Sequence, residues 1–320
     1  MQKGKEMDQK IISTQQLLTI MSVVLSFSSF TYANDCKKSD KILKDYYESM
    51  EHDYWLRSSV LTSVGIKDND DRKIIEGIDL SSNQASIGQI NTRLKGGRLG
   101  GGTATLIGKK WILGVAHSFL PPGSYQEKLD KPGIVYFTPG RTHDHCPVRE
   151  IKIKKVFFFK KWIKGENQDN WDLAVAELED EVNLPYLQIE EYQYDFLSKS
   201  KVLWSDGYPN DLQILGARVS TVGQIVPLFD SRRDNLKEVW DSIMKDKENT
   251  FFHNLDMAPG QSGSSLISTE SNKIIGIQTK VMDASNNRNQ GIAITPKIFN
   301  WINSLLNGDI LNDETVSVDY

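Results

Sequence analysis

The chain has only two cysteines, Cys36 and Cys146. Two thiolates cannot build a four-cysteine zinc site. Nor does Cys36 head a lipoprotein-type leader, because Ala33 stands where such leaders carry an aliphatic residue. A basic surplus is also missing. The formal net charge is −4, so little is available to displace counterions along a phosphate backbone, and nucleic acid is not an expected partner. The basic run Lys152 to Lys155 alternates with apolar residues and reads as a strand with one wet face. Long apolar runs are scarce: Leu17 to Phe30 is interrupted by serine and falls short of the ~20 apolar residues a membrane span needs. No internal repeat is visible. What remains, 39% hydrophobic and 25% charged residues, is ordinary for a globular protein.

The N-terminus carries targeting features. Lys3, Lys5 and Lys10 precede the apolar stretch, and Thr31-Tyr32-Ala33 offers small residues for cleavage after Ala33. Residues 1–33 are therefore expected to be a signal peptide. The mature protein would be secreted or periplasmic, with no stable membrane insertion. Glu6 and Asp8 weaken the positive end of that signal. Export would place the cysteines in an oxidising compartment, where a pair bridges if its Cα atoms come within reach. Spacing alone leaves a Cys36–Cys146 disulfide open.

Residues 34–86 are charged and helix-compatible, as in Asp40 to Tyr47, and Asn69-Asp70-Asp71-Arg72-Lys73 reads as an exposed break. This stretch is expected to be a pro-segment or an N-terminal extension. From Ile87 the pattern changes to short β-runs separated by turns. Strands are expected at Thr103–Ile107, Trp111–Val115, Gly133–Thr138, Ile151–Phe158, Leu173–Leu178, Lys201–Ser205, Ala217–Val226, Ser264–Ser268, Lys273–Lys280 and Gly291–Thr295. Apolar residues three and four apart make Asp234 to Asp246 an amphipathic insert. Pro296 early and Gly308 just past the end punctuate a closing helix.

Three segments could carry chemistry, in chain order. Gly114-Val115-Ala116-His117-Ser118 ends an apolar strand with a histidine that could serve as a base. Asn170-Trp171-Asp172-Leu173-Ala174-Val175 puts a carboxylate just before a buried strand, where it can be desolvated and aimed at an imidazole. Pro259-Gly260-Gln261-Ser262-Gly263-Ser264-Ser265 sets a serine between glycines, as an exposed nucleophile in a tight loop requires. Each fragment alone is commonplace. His143-Asp144-His145-Cys146 lacks a distant second ligand pair and reads as a loop, so no metal and no cofactor are expected. Trp162, Trp171 and Trp204 read as packing residues.

These segments resemble the trypsin-like serine proteases, and more narrowly their bacterial glutamyl-endopeptidase-like branch. Ala116-His117 matches the base motif and Asp172-Leu173-Ala174-Val175 the acid motif. Gly260-Gln261-Ser262-Gly263-Ser264 resembles the branch's Gly-Asn-Ser-Gly-Ser. Gly207-Tyr208-Pro209 and the stretch from Ile274 to Thr295 also have counterparts there. The likeness spans residues 87–306. It implies an all-β fold of two six-stranded antiparallel β-barrels with a C-terminal helix and an N-terminal extension. The first barrel would be 87–198, the second barrel with its helix 199–308, and 309–320 a tail.

The resemblance further implies a serine endopeptidase, expected as a monomer, that acts on proteins or peptides through an acyl-enzyme. Ser262 would be the nucleophile, His117 the base and Asp172 its orienter, with an oxyanion hole from the N–H groups of Gly260 and Ser262. Asp256 lies at the spacing of trypsin's selector for basic side chains, though it could equally bond loop backbone. Gln278 stands where glutamate-cleaving relatives carry histidine, which argues against glutamate. Gln261 replaces the acid that pairs with a freed N-terminal amine in trypsin, so activation through that ion pair is not expected. Ser265 replaces a usual proline. The alternative is a homologue of weak or no activity that binds a partner in the cleft. An α/β-hydrolase is excluded, since its elbow needs glycine where Ser264 stands and its residue order differs. A chaperone-protease is excluded by the short stretch after Ser262.

Overall fold

The computed structural model describes residues 70–93, 99–120, 133–143, 145–192, 201–212, 216–226, 248–281, 288–309 and 313–320. The expected signal peptide at 1–33, Cys36, the helix-compatible stretch at 40–47 and the expected amphipathic insert at 234–246 lie outside the described residues.

Alternating burial drives the strands. In Ile151–Phe159, Ile151, Ile153 and Val156 point inward while Lys152, Lys154 and Lys155 point out. The outward lysines meet acids on neighbouring strands: Lys154 Nζ lies 2.8 Å from Glu177 and Lys155 Nζ 3.3 Å from Asp319. The basic run is the wet face of a barrel strand.

The first barrel is built from β2 (Ile87–Arg93), β3 (Leu99–Gly108), β4 (Trp111–Gly114), β5 (Ile134–Pro139), β6 (Ile151–Phe159) and β7 (Ala174–Leu178). Its order is β6-β5-β2-β3-β4-β7, closed by β7 pairing with β6. The second barrel holds β8 (Val202–Gly207), β9 (Val219–Val226), β10 (Thr250–His253), β11 (Ser265–Ser268), β12 (Ile274–Lys280) and β13 (Asn289–Ala293), ordered β9-β10-β13-β12-β11-β8 and closed by β8 on β9. All pairings between strands are antiparallel. The fold is therefore two closed six-stranded barrels.

Two strands are added from the flanks. β1 (Lys73–Ile74) pairs with β9, and β14 (Thr315–Asp319) pairs with β6 along five residues. The segment set apart as a tail thus carries a strand of the first barrel's sheet. β1, β2, β10 and β14 were not among the expected strands. β13 begins and ends two residues before the expected Gly291–Thr295.

The helix Pro296–Asn307 starts with proline, whose fixed φ suits the first turn. It ends at Gly308 with φ +73, where the N–H groups of Gly308 and Asp309 close onto Leu305 and Ser304. Its buried face, Ile298, Trp301, Ile302 and Leu305, returns to the first barrel, where Trp301 stacks on Phe159 at 4.2 Å between ring centroids. Between the barrels, buried Asn170 accepts a hydrogen bond from Thr250 Oγ1 at 2.8 Å, and Ser265 Oγ donates to Thr105 Oγ1 at 2.8 Å. Ser265 therefore uses its hydroxyl where a proline would have none.

Candidate active site

His117 and Asp172 are joined by strand register. β4 and β7 pair with Gly114 opposite Ala174. Continuing antiparallel, the residues two beyond β4 meet those two before β7, so Asp172 arrives beside the helical turn Ala116–Phe119. Its carboxylate takes two bonds from one residue. The main-chain N–H of His117 donates to Asp172 Oδ1 at 2.9 Å, and His117 Nδ1 lies 2.5 Å from Asp172 Oδ2. Asp172 is 8% exposed. A carboxylate accepts only, so Nδ1 carries the proton and Nε2 is left as the acceptor when the ring is neutral. Burial pushes the imidazole pKa down, but the charge of Asp172 and its hydrogen bond outweigh this, and the net value lies above the ordinary 6.5.

Ser262 sits in the turn between β10 and β11. Gly260 has φ +94 and Gly263 φ +89, conformations that strain any residue with a Cβ. A Cβ on Gly263 would also run into the Thr103 carbonyl. That close seat is made by Thr103 of β3. Its N–H donates to Ser262 O at 2.8 Å, its hydroxyl donates to Gly260 O at 3.2 Å, and the same hydroxyl accepts Tyr208 N–H at 3.1 Å. One step beyond Ala104–Gly114 in the β3–β4 register, Thr103 lies opposite Val115, two residues before His117. The serine loop and the histidine turn are thus mounted on one pair of strands. Ser262 is half-buried. Its Oγ makes no hydrogen bond among the described residues.

The loop's N–H groups divide into two sets. Those of Gln261, Gly263 and Ser264 donate to Ala258, Gln278 and Gln261 carbonyls at 2.8–3.1 Å. Those of Gly260 and Ser262 donate to no group among the described residues. The Pro259 carbonyl accepts Asn210 N–H at 2.8 Å. No peptide among the described residues is cis, and in a trans peptide the C=O and N–H point oppositely. The Gly260 N–H therefore faces away from Asn210.

The two residues expected to read substrate are both buried. Asp256 Oδ2 accepts the main-chain N–H of Asp71 at 3.0 Å, so backbone from the N-terminal segment meets it. Gln278 Oε1 lies 2.6 Å from Nε2 of His253. Burial outweighs the Gln278 hydrogen bond at His253 and pushes its pKa down to about 4. His253 is thus a neutral ring that donates to Gln278. Nothing in the sequence singled it out, because Thr250–His253 is buried throughout and carries no polar–apolar alternation. Arg72 was also missed. The run around it reads as exposed, yet its side chain is 2% exposed and bonded to Asp70, Asp211 and Gln261. The charged string hid a long-range partner. Among the described residues no group of three or more His, Cys, Asp or Glu is arranged to hold a metal.

No family model and no curated protein matches the chain. Solved structures do. A Glu endopeptidase in complex with MPD is 16% identical, with a TM-score of 0.59 over 75% of this chain and 98% of its own. The protease Anisep from Arthrobacter nicotinovorans is 16% identical, with 0.52 over 69% and 95%. The scabies mite inactivated protease paralogue S-D1 is 12% identical, with 0.55 over 78% and 100%. A Glu endopeptidase and an inactivated protease paralogue thus share this architecture, and the chain has the chymotrypsin fold of the trypsin-like serine proteases.

Proposed function

We propose that the chain is a serine endopeptidase that cleaves peptide bonds through an acyl-enzyme. The observation that carries the reading is the double grip of Asp172 on His117, by ring and by main chain. A merely structural histidine needs no such orienter, whereas a general base needs a fixed tautomer and direction. In the proposed reaction His117 Nε2 takes the proton of Ser262 Oγ as the oxygen attacks the scissile carbonyl. The Gly260 and Ser262 N–H groups, which donate to no group among the described residues, receive the developing oxyanion. His117 then protonates the leaving amine, and a water molecule repeats the sequence to release the acid. Losing one such hole donor costs ~3–4 kcal/mol of barrier in comparable sites.

The leader residues support export, and Cys146, which carries no free thiol, supports a bridge. Cys36 lies outside the described residues. Among those described, no helix is long and apolar enough to cross a membrane. Monomeric action on protein or peptide substrates completes the proposal.

A fluorophosphonate probe tests it. Purified wild-type protein is expected to be labelled at Ser262, and Ser262→Ala to lose labelling while keeping its β-rich circular dichroism. Folded wild-type protein that resists the probe would instead indicate a partner-binding homologue.

A further inference from the structure

We infer that Arg72 is a positioning residue for the Ser262 loop, an inference that rests on the nucleophile assigned above. Arg72 reaches both flanks of that loop. Its Nη1 and Nη2 meet the Asp211 carboxylate at 3.0 and 2.6 Å. Asp211 follows Asn210, whose N–H holds the Pro259 carbonyl. Nη1 also lies 3.4 Å from Gln261 Oε1, and Gln261 immediately precedes Ser262. That same oxygen accepts the Ala258 N–H at 2.9 Å, so the Gln261 side chain is a brace inside the loop. Asp70 closes the guanidinium's other edge through Nε and Nη2, both at 2.8 Å.

The neighbouring residues fix where this fork sits. Asp71 donates its N–H to Asp256, where the loop begins, and accepts Thr221 Oγ1 at 3.2 Å. Lys73 and Ile74 pair with Ser220 and Val219, and Ile75 N–H donates to Arg218 O at 2.9 Å. The segment adds little to the core: both residues of β1 are exposed, Ile74 by 54%. What it buries is a cation. Burying a charge costs more than packing an apolar side chain, so a buried pair is weak evidence for stability by itself. A guanidinium offers the planar fork that two carboxylates and an amide oxygen require together, and an ammonium does not. Arg72 thus holds the Pro259–Gly260 peptide, through Asp211 and Asn210, and Ser262, through Gln261, in one arrangement. It follows that residues 70–72 stay with the working enzyme, and any N-terminal processing falls before Asp70.

The test compares wild-type, Arg72→Gln and Arg72→Lys full-length proteins. Active sites are counted by fluorophosphonate titration, and kcat per titrated site, KM and thermal midpoint are measured. A positioning role lowers kcat per labelled site and the labelling rate ~10-fold or more in Arg72→Gln, with KM within about twofold and partial recovery in Arg72→Lys. A purely structural role would lower the number of sites and the midpoint but leave turnover per site unchanged, and that result overturns the inference. Should Arg72→Gln not fold, the lysine variant decides alone: reduced turnover per site supports the inference and wild-type turnover refutes it. If wild-type protein itself resists the probe, the endopeptidase reading fails first.

Discussion

At the scale of single residues, the proposed reaction makes protonation of His117 decide when the site can work. Only the neutral imidazole can accept a proton, and its pKa is raised above 6.5. Turnover therefore rises as pH climbs through a midpoint above 6.5. Asp172→Asn removes the charge and the strong hydrogen bond but leaves burial, which acts in the opposite direction. The midpoint should then fall, and kcat should drop by ~10⁴-fold, as in the triad template. A pH profile of kcat/KM for both proteins checks both effects. An unchanged midpoint in the variant would assign the raised pKa to another group. The proposed triad residues stand out in the sequence because His117 follows an apolar strand, Asp172 precedes one and Ser262 lies between glycines. Arg72 does not, because an Asp-Asp-Arg-Lys string looks solvated until Asp211, 139 residues away, is folded against it.

At the scale of elements, register does what no local motif can. Asp172 meets His117 because β4 and β7 are neighbours that run antiparallel. The sequence shows two apolar runs and no sign that they pair. Burial patterns mattered as well. The lysine–apolar alternation of β6 shows its period, whereas β10 is buried at all four residues and shows none. β14 carries only Val316 and Val318 at alternate positions. Yet β14 has a task near the site. The Tyr320 hydroxyl just beyond it donates to the Phe119 carbonyl at 3.0 Å, at the end of the turn that bears His117. Burial holds the phenol pKa up, so the hydroxyl remains a donor. Tyr320→Phe should cost about 1 kcal/mol of stability in chemical denaturation. It should also lower kcat, by far less than Asp172→Asn does. No change in either quantity would show that the turn is held by the barrel alone.

At the scale of the molecule, two closed barrels leave few sheet edges to protect, and polar contacts join them. In the second barrel Arg218 and Asp206 form a fully buried ion pair at 2.7 Å. Arg218 also donates to the Gln84 carbonyl at 2.7 Å, just ahead of the first barrel's opening strand. Asp206→Ala would strand a buried guanidinium, and such losses cost ~3–5 kcal/mol. Urea unfolding of Asp206→Ala should show that loss. A shift under ~1 kcal/mol would mean that the Arg218 charge finds another partner.

The Asn210–Pro259 hydrogen bond bears on timing. With that carbonyl already anchored in the free protein, the adjoining amide needs no crankshaft rotation when a substrate docks. Acylation would start from a receptor set in advance, so its speed would be governed by chemistry and encounter rather than by a prior rearrangement.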